Sequence, residues 1–474
     1  MCSATPTYPP APASTTTRRR ALTTSRLLRV IVGAATLALG GGAGAQTISA
    51  FAGGGTLTDD GVLATEARLS NPESIAVDVA GNVYVADVGA FTVRRIDATT
   101  GIITTIAGNG QFGTSPDGGL ATESMLLYPS GMAFDAAGNV YIVDRFDHRV
   151  HRVNLVTGVI TTVAGDGYAL FDTSGTNGDQ GPAVDASLAF PMDVAVDGAG
   201  NLYIADTHAF AVRRVDAQTG IITTIAGSIN NAGFSGDGGP AVDAGFNGVT
   251  RVAADAAGNV YVLDPFLVEN EPGNHARVRR IDATTGIITT VAGGGGGDGE
   301  SGPATAAKLF DFSMADIALD SAGNLYIAGG ERVWRVDPAG LISRFAGAGG
   351  GGGASSGDGG PALLATFGII GGLDVAATGE VYITELFDRV RRVAAAGGPP
   401  PADVIVDDAT SQLTLDGLVN VAGCVIADGT ARPTLVIPNL VSIGDCLTIT
   451  GNLLLTDIDL ATGGGIGGTV TISD

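Results

Sequence analysis

Four histidines are the obvious candidates for metal chemistry: His148, His151, His208 and His275. Three converging imidazoles would make a zinc site of the kind that activates water. Their placement argues against convergence. His148 and His151 fall in one repeat unit, His208 follows Asp206 in the next, and His275 stands before an Ala-Arg-Val run. They read as structural or surface residues, so no metal ligand and no catalytic residue is assigned. A more regular chemistry comes from arginine. Arg95, Arg152, Arg214, Arg280, Arg335 and Arg392 occupy one equivalent position along the chain. Six guanidinium groups in a ring would attract an anionic ligand such as an acidic glycan. Trp334, which replaces an Arg or His found in the other units, joins them as a candidate ligand contact. The competing reading is a structural ion pair. Asp87, Asp144, Asp206, Asp264 and Glu385 recur nearby, with Gly329 breaking the series, and a half-buried arginine needs such a partner.

Other motifs carry less. A Gly-Asp-Gly-Gly-Pro-Ala-like segment recurs around Asp60, Asp117, Asp179, Asp237, Asp298 and Asp358. Calcium takes such oxygens, but each copy offers one carboxylate where calcium loops cluster several, so a compact turn is the simpler reading. The glycine run at 292–301 lacks the Lys-Ser/Thr of a phosphate loop, and no Gly-x-Ser-x-Gly elbow is apparent. No cofactor is expected. Formal net charge is −23, with Lys308 the one lysine, and the first 45 residues hold five arginines and no acid, so the remainder is more acidic still. A body of that charge repels phosphate backbones and excludes nucleic acid as a partner.

The elements that must position these residues come from a repeat. Ile75-Ala76-Val77-Asp78, Ala80-Gly81-Asn82 and Val83-Tyr84-Val85-Ala86-Asp87 read as strand, tight turn and strand. Val93-Arg94-Arg95-Ile96-Asp97 is a third strand, and Ile102 to Gly108, rich in β-branched residues, a fourth. The glycine of the turn returns at Gly138, Gly200, Gly258 and Gly323, with a weaker copy at Gly379, making six units. Four short strands per unit, repeated radially, is the pattern of a propeller blade. The sixth unit stops after Val393 without a fourth strand. Thr47 to Gly53 matches the missing piece, so the N-terminal strand is expected to complete the last blade and close the ring.

These units resemble NHL repeats, with a long insert between blades similar to that of the teneurin NHL propeller. The resemblance covers roughly residues 46–398 and implies an all-β, six-bladed propeller. It says little of activity, because propellers host many functions. After a stiff linker at Pro399-Pro400-Pro401 the pattern changes. Residues 419–425, 441–447 and 466–470 align with one another, similar to a leucine-rich, L-domain-like β-solenoid with one short strand per coil over 402–474. Cys424 and Cys446 share one repeat position. Equivalent positions of stacked coils lie ~4.8 Å apart, within disulfide range, so a Cys424–Cys446 bond is predicted.

Residues 1–45 read as an export signal: a basic stretch ending at Arg29, an apolar run from Val30 to Leu39, and the small residues Ala43-Gly44-Ala45. The expectation is a secreted protein, extracellular or periplasmic, monomeric and without a membrane span once the signal is cleaved. It would present propeller loops to a protein or glycan ligand. The alternative is a metal-dependent hydrolase or lyase working at the central channel. Innermost strands dominated by Ala, Val and Ile, and near-identical blades, favour the non-enzymatic reading. The blade-four loop Pro265 to His275 is the departure from symmetry where a specific contact is expected.

Overall fold

The computed structural model describes residues 46–395 apart from 170–176, 229–230, 266–275, 298, 310–314 and 350–354. Outside that range it describes only short strand segments. The chain divides into two units, residues 38–400 and the remainder.

The larger unit is a six-bladed β-propeller. Blade 1 runs from its innermost strand Pro72–Val77 through Val83–Asp87 and Thr92–Ile96 to the outermost Ile102–Ala107, and its neighbours repeat the plan. Blade 2 spans Pro129 to Ala164, blade 3 Asp193 to Gly227, blade 4 Arg251 to Gly293 and blade 5 Ala315 to Ala346. Blade 6 has three strands of its own between Ile370 and Val393. Its fourth is the N-terminal Ile48–Gly53, with Ile48 opposite Val393 and Gly53 opposite Arg389. The closure expected from the sequence is therefore present, and the last blade has its four strands.

Strands buried on both faces explain why their sequences are apolar rather than alternating. In Val83–Asp87 every residue is buried. Tyr84 and Ala86 pack with Met132, Val140 and Ile142 of blade 2. Val83 and Val85, on the opposite face, pack with Ala376, Tyr382 and Val390 of blade 6. Each inter-blade seam is a small core of this kind.

A β-bulge recurs in the outer pair of strands of every blade. In blade 1 Val93 faces Ala107 while Arg94 faces Thr105, leaving Ile106 as the extra residue. Equivalent shifts fall at Val150/His151, Val212/Arg213, Val278/Arg279, Val333/Trp334 and Ala50/Ala52. A bulge re-aims the side chains beside it, and the one it re-aims here is the first of the two adjacent arginines. Gly108, which follows the outer strand at φ +84°, lies so close to Phe91 that a Cβ would meet its carbonyl oxygen at 2.1 Å, so only glycine fits.

In the smaller unit the strand segments after Ile405 form three three-stranded parallel sheets. Asn420 pairs with Ser442 and Ser442 with Gly465; Val425 pairs with Leu447 and Leu447 with Val470. The rows aligned in the sequence are thus the rows that pair. Cys424, and with it the predicted disulfide, lies outside the described residues, as do most of residues 1–45, where an export signal is expected. Among the described residues no helix is long and apolar enough to cross a membrane.

Candidate functional site

The six nominated arginines sit on third strands, away from the axis, and their environment is local. Asp78 opens the turn after the innermost strand. Its Oδ1 accepts from the Ala80 and Asn82 amides, and its Oδ2 accepts from the Asn82 side chain and, at 3.2 Å, the Tyr84 hydroxyl. Asn82 Oδ1 accepts from the Ala98 amide, and Asp97 Oδ1 from the Thr99 and Thr100 amides. Arg95 joins the network through Asp97 at 2.8 Å, Arg214 through Asp216 at 3.0 Å and Arg280 through Asp282 at 3.1 Å. Burial, then Asp78, pushes the Tyr84 phenol up to about 12. The repeated Asp-x-x-Gly-Asn and Arg-x-Asp signatures are thus two halves of one turn clamp. The ion-pair reading finds support for Arg95, Arg214 and Arg280, with a different partner from the one expected.

Three of the acids expected to pair with the nominated arginines, Asp206, Asp264 and Glu385, pair with the preceding residue instead. Arg213 is fully buried and reaches Asp206 at 3.2 Å and the insert's Asp179 at 2.7 Å. Arg279 reaches Asp237 at 2.7 Å and Asp264 at 3.8 Å, and Arg391 reaches Asp358 at 2.8 Å and Glu385 at 3.5 Å. Arg94 bonds Asp60 at 2.9 Å. The insert aspartates are thereby fastened to the following blade, in keeping with the compact-turn reading of that motif. Trp334 fills the same place in blade 5. It is 3% exposed, packed with Leu263, Leu309 and Ile317, and offers no surface to a ligand.

Polar groups do converge on the axis, contrary to the expectation of aliphatic innermost strands, and each spans a seam. Tyr128 donates to Glu73 between blades 2 and 1 at 2.6 Å, and Ser130 donates to the Met192 carbonyl between blades 2 and 3 at 2.9 Å. Asp193 accepts from the Val252 amide between blades 3 and 4. Arg251 meets Asp316 between blades 4 and 5 at 3.4 Å. Asp316 accepts from the Leu373 amide between blades 5 and 6, and Asp374 from the Val77 amide between blades 6 and 1. All six seams carry such a staple. Burial pushes Asp193 up to about 7 and raises the Tyr128 phenol, the latter aided by Glu73. Toward the turn face the channel widens to a cavity of about 440 Å³ whose rim holds Asp135, Asp197 and Asp255. Each of these is bonded within its own turn.

Symmetry breaks on the opposite face, in blades 2 and 3. Phe146, 42% exposed, makes edge-on ring contacts with Tyr128 at 4.9 Å and Phe190 at 6.1 Å. Phe190 packs between His148 at 4.6 Å and His208 at 4.7 Å. His148 stands at φ +55° where blades 1 and 3 place Phe91 and Phe210 in the same left-handed conformation. Its Nδ1 accepts from the Phe190 amide at 3.2 Å. The Arg145 guanidinium lies 5.8 Å from the Tyr128 ring centre and 5.6 Å from that of Phe146. Burial lowers both imidazoles below their usual value, so the patch is neutral but for Arg145. Sequence reasoning missed it because its members come from four separate loops. The loop Pro265 to His275, where a contact was expected, lies beyond Pro265 outside the described residues.

Comparison with known proteins agrees with this architecture. The family model of the teneurin NHL domain matches residues 53–116. Mouse teneurin-1 is 31% identical over 227 residues, which is 43% of this chain and 8% of that protein. Human teneurin-4 is 31% identical over 246 residues, 46% of this chain and again 8% of the relative. A solved protein of unknown function from Bacteroides thetaiotaomicron aligns with a TM-score of 0.51 at 20% identity, over 74% of this chain and 76% of that one, a likeness of fold alone. The fold is a six-bladed β-propeller, and the matched repeats are similar to those of the teneurin NHL domain. The chain spans under a tenth of the teneurins it resembles.

Proposed function

We propose that this protein is an exported binding protein whose propeller captures a protein or glycan ligand on the face bearing Tyr128, Arg145, Phe146, Phe190 and His208. The observation that carries the reading is the half-exposed aromatic cluster itself. It is the place among the described residues where loops of neighbouring blades bring several rings and a guanidinium to the surface, the composition enriched at binding hot spots. The axis supports the same reading. Its ionisable groups are engaged across seams, whereas a hydrolase or lyase at the channel would need them free to meet substrate. Export rests on the basic, apolar and small-residue order of residues 1–45, and we assign the C-terminal piece to a leucine-rich-type solenoid on its parallel pairing.

The test is a screen of immobilised glycans and surface proteins against the full chain, followed by titration of Phe146→Ala and Arg145→Ala. Each is expected to weaken the selected interaction at least tenfold with unchanged melting, the scale of a hot-spot contact worth ~2 kcal/mol. Undiminished affinity in both would remove this face from the account.

A further inference from the structure

Blade 2 departs from its neighbours at the buried position that follows the bulge. Arg94, Arg213, Arg279 and Arg391 hold it in four blades, each beside a buried carboxylate at the end of the second strand and an insert aspartate. In blade 2 the residue is His151, the strand-end carboxylate is Asp144, and a further acid, Asp147, is buried beside them. One ligand atom from each of Asp144, Asp147 and His151 lies within 4.8 Å of the others, and His151 Nε2 is 3.5 Å from Asp147 Oδ2. Asp144 is aimed by the Leu127 and Tyr128 amides at 2.8 and 2.7 Å, and Asp147 by Arg149 at 2.8 and 3.0 Å.

The tautomer follows from the outer contacts. Thr162 donates its hydroxyl to Asp117 at 2.9 Å, so its oxygen receives the Nδ1 proton of His151 at 3.3 Å. With Nδ1 engaged by Thr162, Nε2 is the nitrogen left to bind a cation, and it faces the two carboxylates. Three ligand atoms facing one another offer a cation the place that the guanidinium takes in the other blades. We propose that blade 2 binds a divalent transition metal of the zinc class on Asp144, Asp147 and His151, with Thr162 and Asp117 holding the imidazole. Tetrahedral ligands about 2.1 Å from a metal stand about 3.4 Å apart, so atoms within 4.8 Å of one another close on binding by up to about 1.4 Å. A cleft of about 850 Å³ lined by Asp117, Arg149, His151, Thr162 and Asp166 connects the histidine to solvent. Three protein ligands leave a coordination position for water on that side.

The experiment is zinc titration of the full chain, stripped with chelator, read by calorimetry, metal mass spectrometry and melting. Wild type is expected to take up one zinc at this site and to melt higher with it. His151→Arg, which restores the residue of the other blades, is expected to fold, to lose this zinc and to melt independently of zinc. Asp147→Asn is expected to lose at least tenfold in affinity, and His208→Ala to keep wild-type binding. Absence of zinc uptake by wild type, or uptake undiminished in both His151→Arg and Asp147→Asn, would overturn the assignment. Loss in His208→Ala with retention in Asp147→Asn would do so too, by moving the metal to the aromatic face.

Discussion

Arg213 and Arg214 are neighbours on one strand with opposite surroundings, and replacing each by methionine separates two kinds of ion pair. Arg213 is fully buried and holds Asp206, itself fully buried, along with Asp179 and the Asn177 carbonyl. Removing its charge leaves the Asp206 carboxylate uncompensated, a loss of about 3–5 kcal/mol. Arg214 is 31% exposed and bonds Asp216 and Asn201. An exposed pair contributes ~0–1 kcal/mol and the hydrogen bond about 1. For a propeller the size of residues 46–395, with an unfolding entropy of roughly 2 cal/mol/K per residue, Arg213→Met should lower the melting temperature by roughly 4–7 °C and Arg214→Met by roughly 1–3 °C. The assay is thermal and urea unfolding by circular dichroism of both variants and of Arg213→Met/Asp206→Asn. The double variant removes the stranded charge and should recover most of the loss. Equal losses in the two single variants, or no recovery in the double, would refute the assignment of the buried pair to the first arginine.

Stability should rise as pH is lowered from 8 to 5. Burial pushes Asp193 and Asp264 up to about 7 and Asp87 up to about 6. Such groups hold a proton more tightly folded than unfolded, so the stability they add is complete below the unfolded value near 3.8 and is lost as pH rises through the folded value. For a fully buried carboxyl this amounts to about 4 kcal/mol. Below pH 4 the trend should reverse as Asp97, held down to about 2 by hydrogen bonds from Thr100, takes up its proton. Melting curves from pH 3 to 8 check both limbs, and a flat profile from 5 to 8 would count against the burial that holds a proton on these acids. Ile48→Ala should cost about 2–5 kcal/mol, because Ile48 is fully buried with Ile383, Val393 and Phe367 in the closing seam. Limited proteolysis should then cut first next to the N-terminal strand, and cleavage elsewhere first would argue that the ring is not held shut there.

The sequence by itself determined the blade. Asp-x-x-Gly-Asn between β-branched runs is a local instruction: Asp78 can bond the amides two and four residues on wherever the segment finds itself. Six copies with a missing fourth strand, and a matching strand at the start, leave one way to pair every edge, and the structure adopts it. What chemistry the side chains do was decided by the tertiary structure. Strand alternation says that Arg94 and Arg95 point to opposite faces, but which of them meets the insert aspartate depends on the bulge at Ile106 and on the insert folding back. The axial staples were hidden for a related reason. Glu73, Ser130, Asp193, Arg251 and Asp316 fall at the starts of innermost strands, where the repeat has no common residue, and each finds its partner one blade away. In the sequence His151 shares a unit with His148 and has no visible partner ligand. The alternation of the strand and the turn before it place it with Asp144 and Asp147 instead, a convergence that only the folded blade creates.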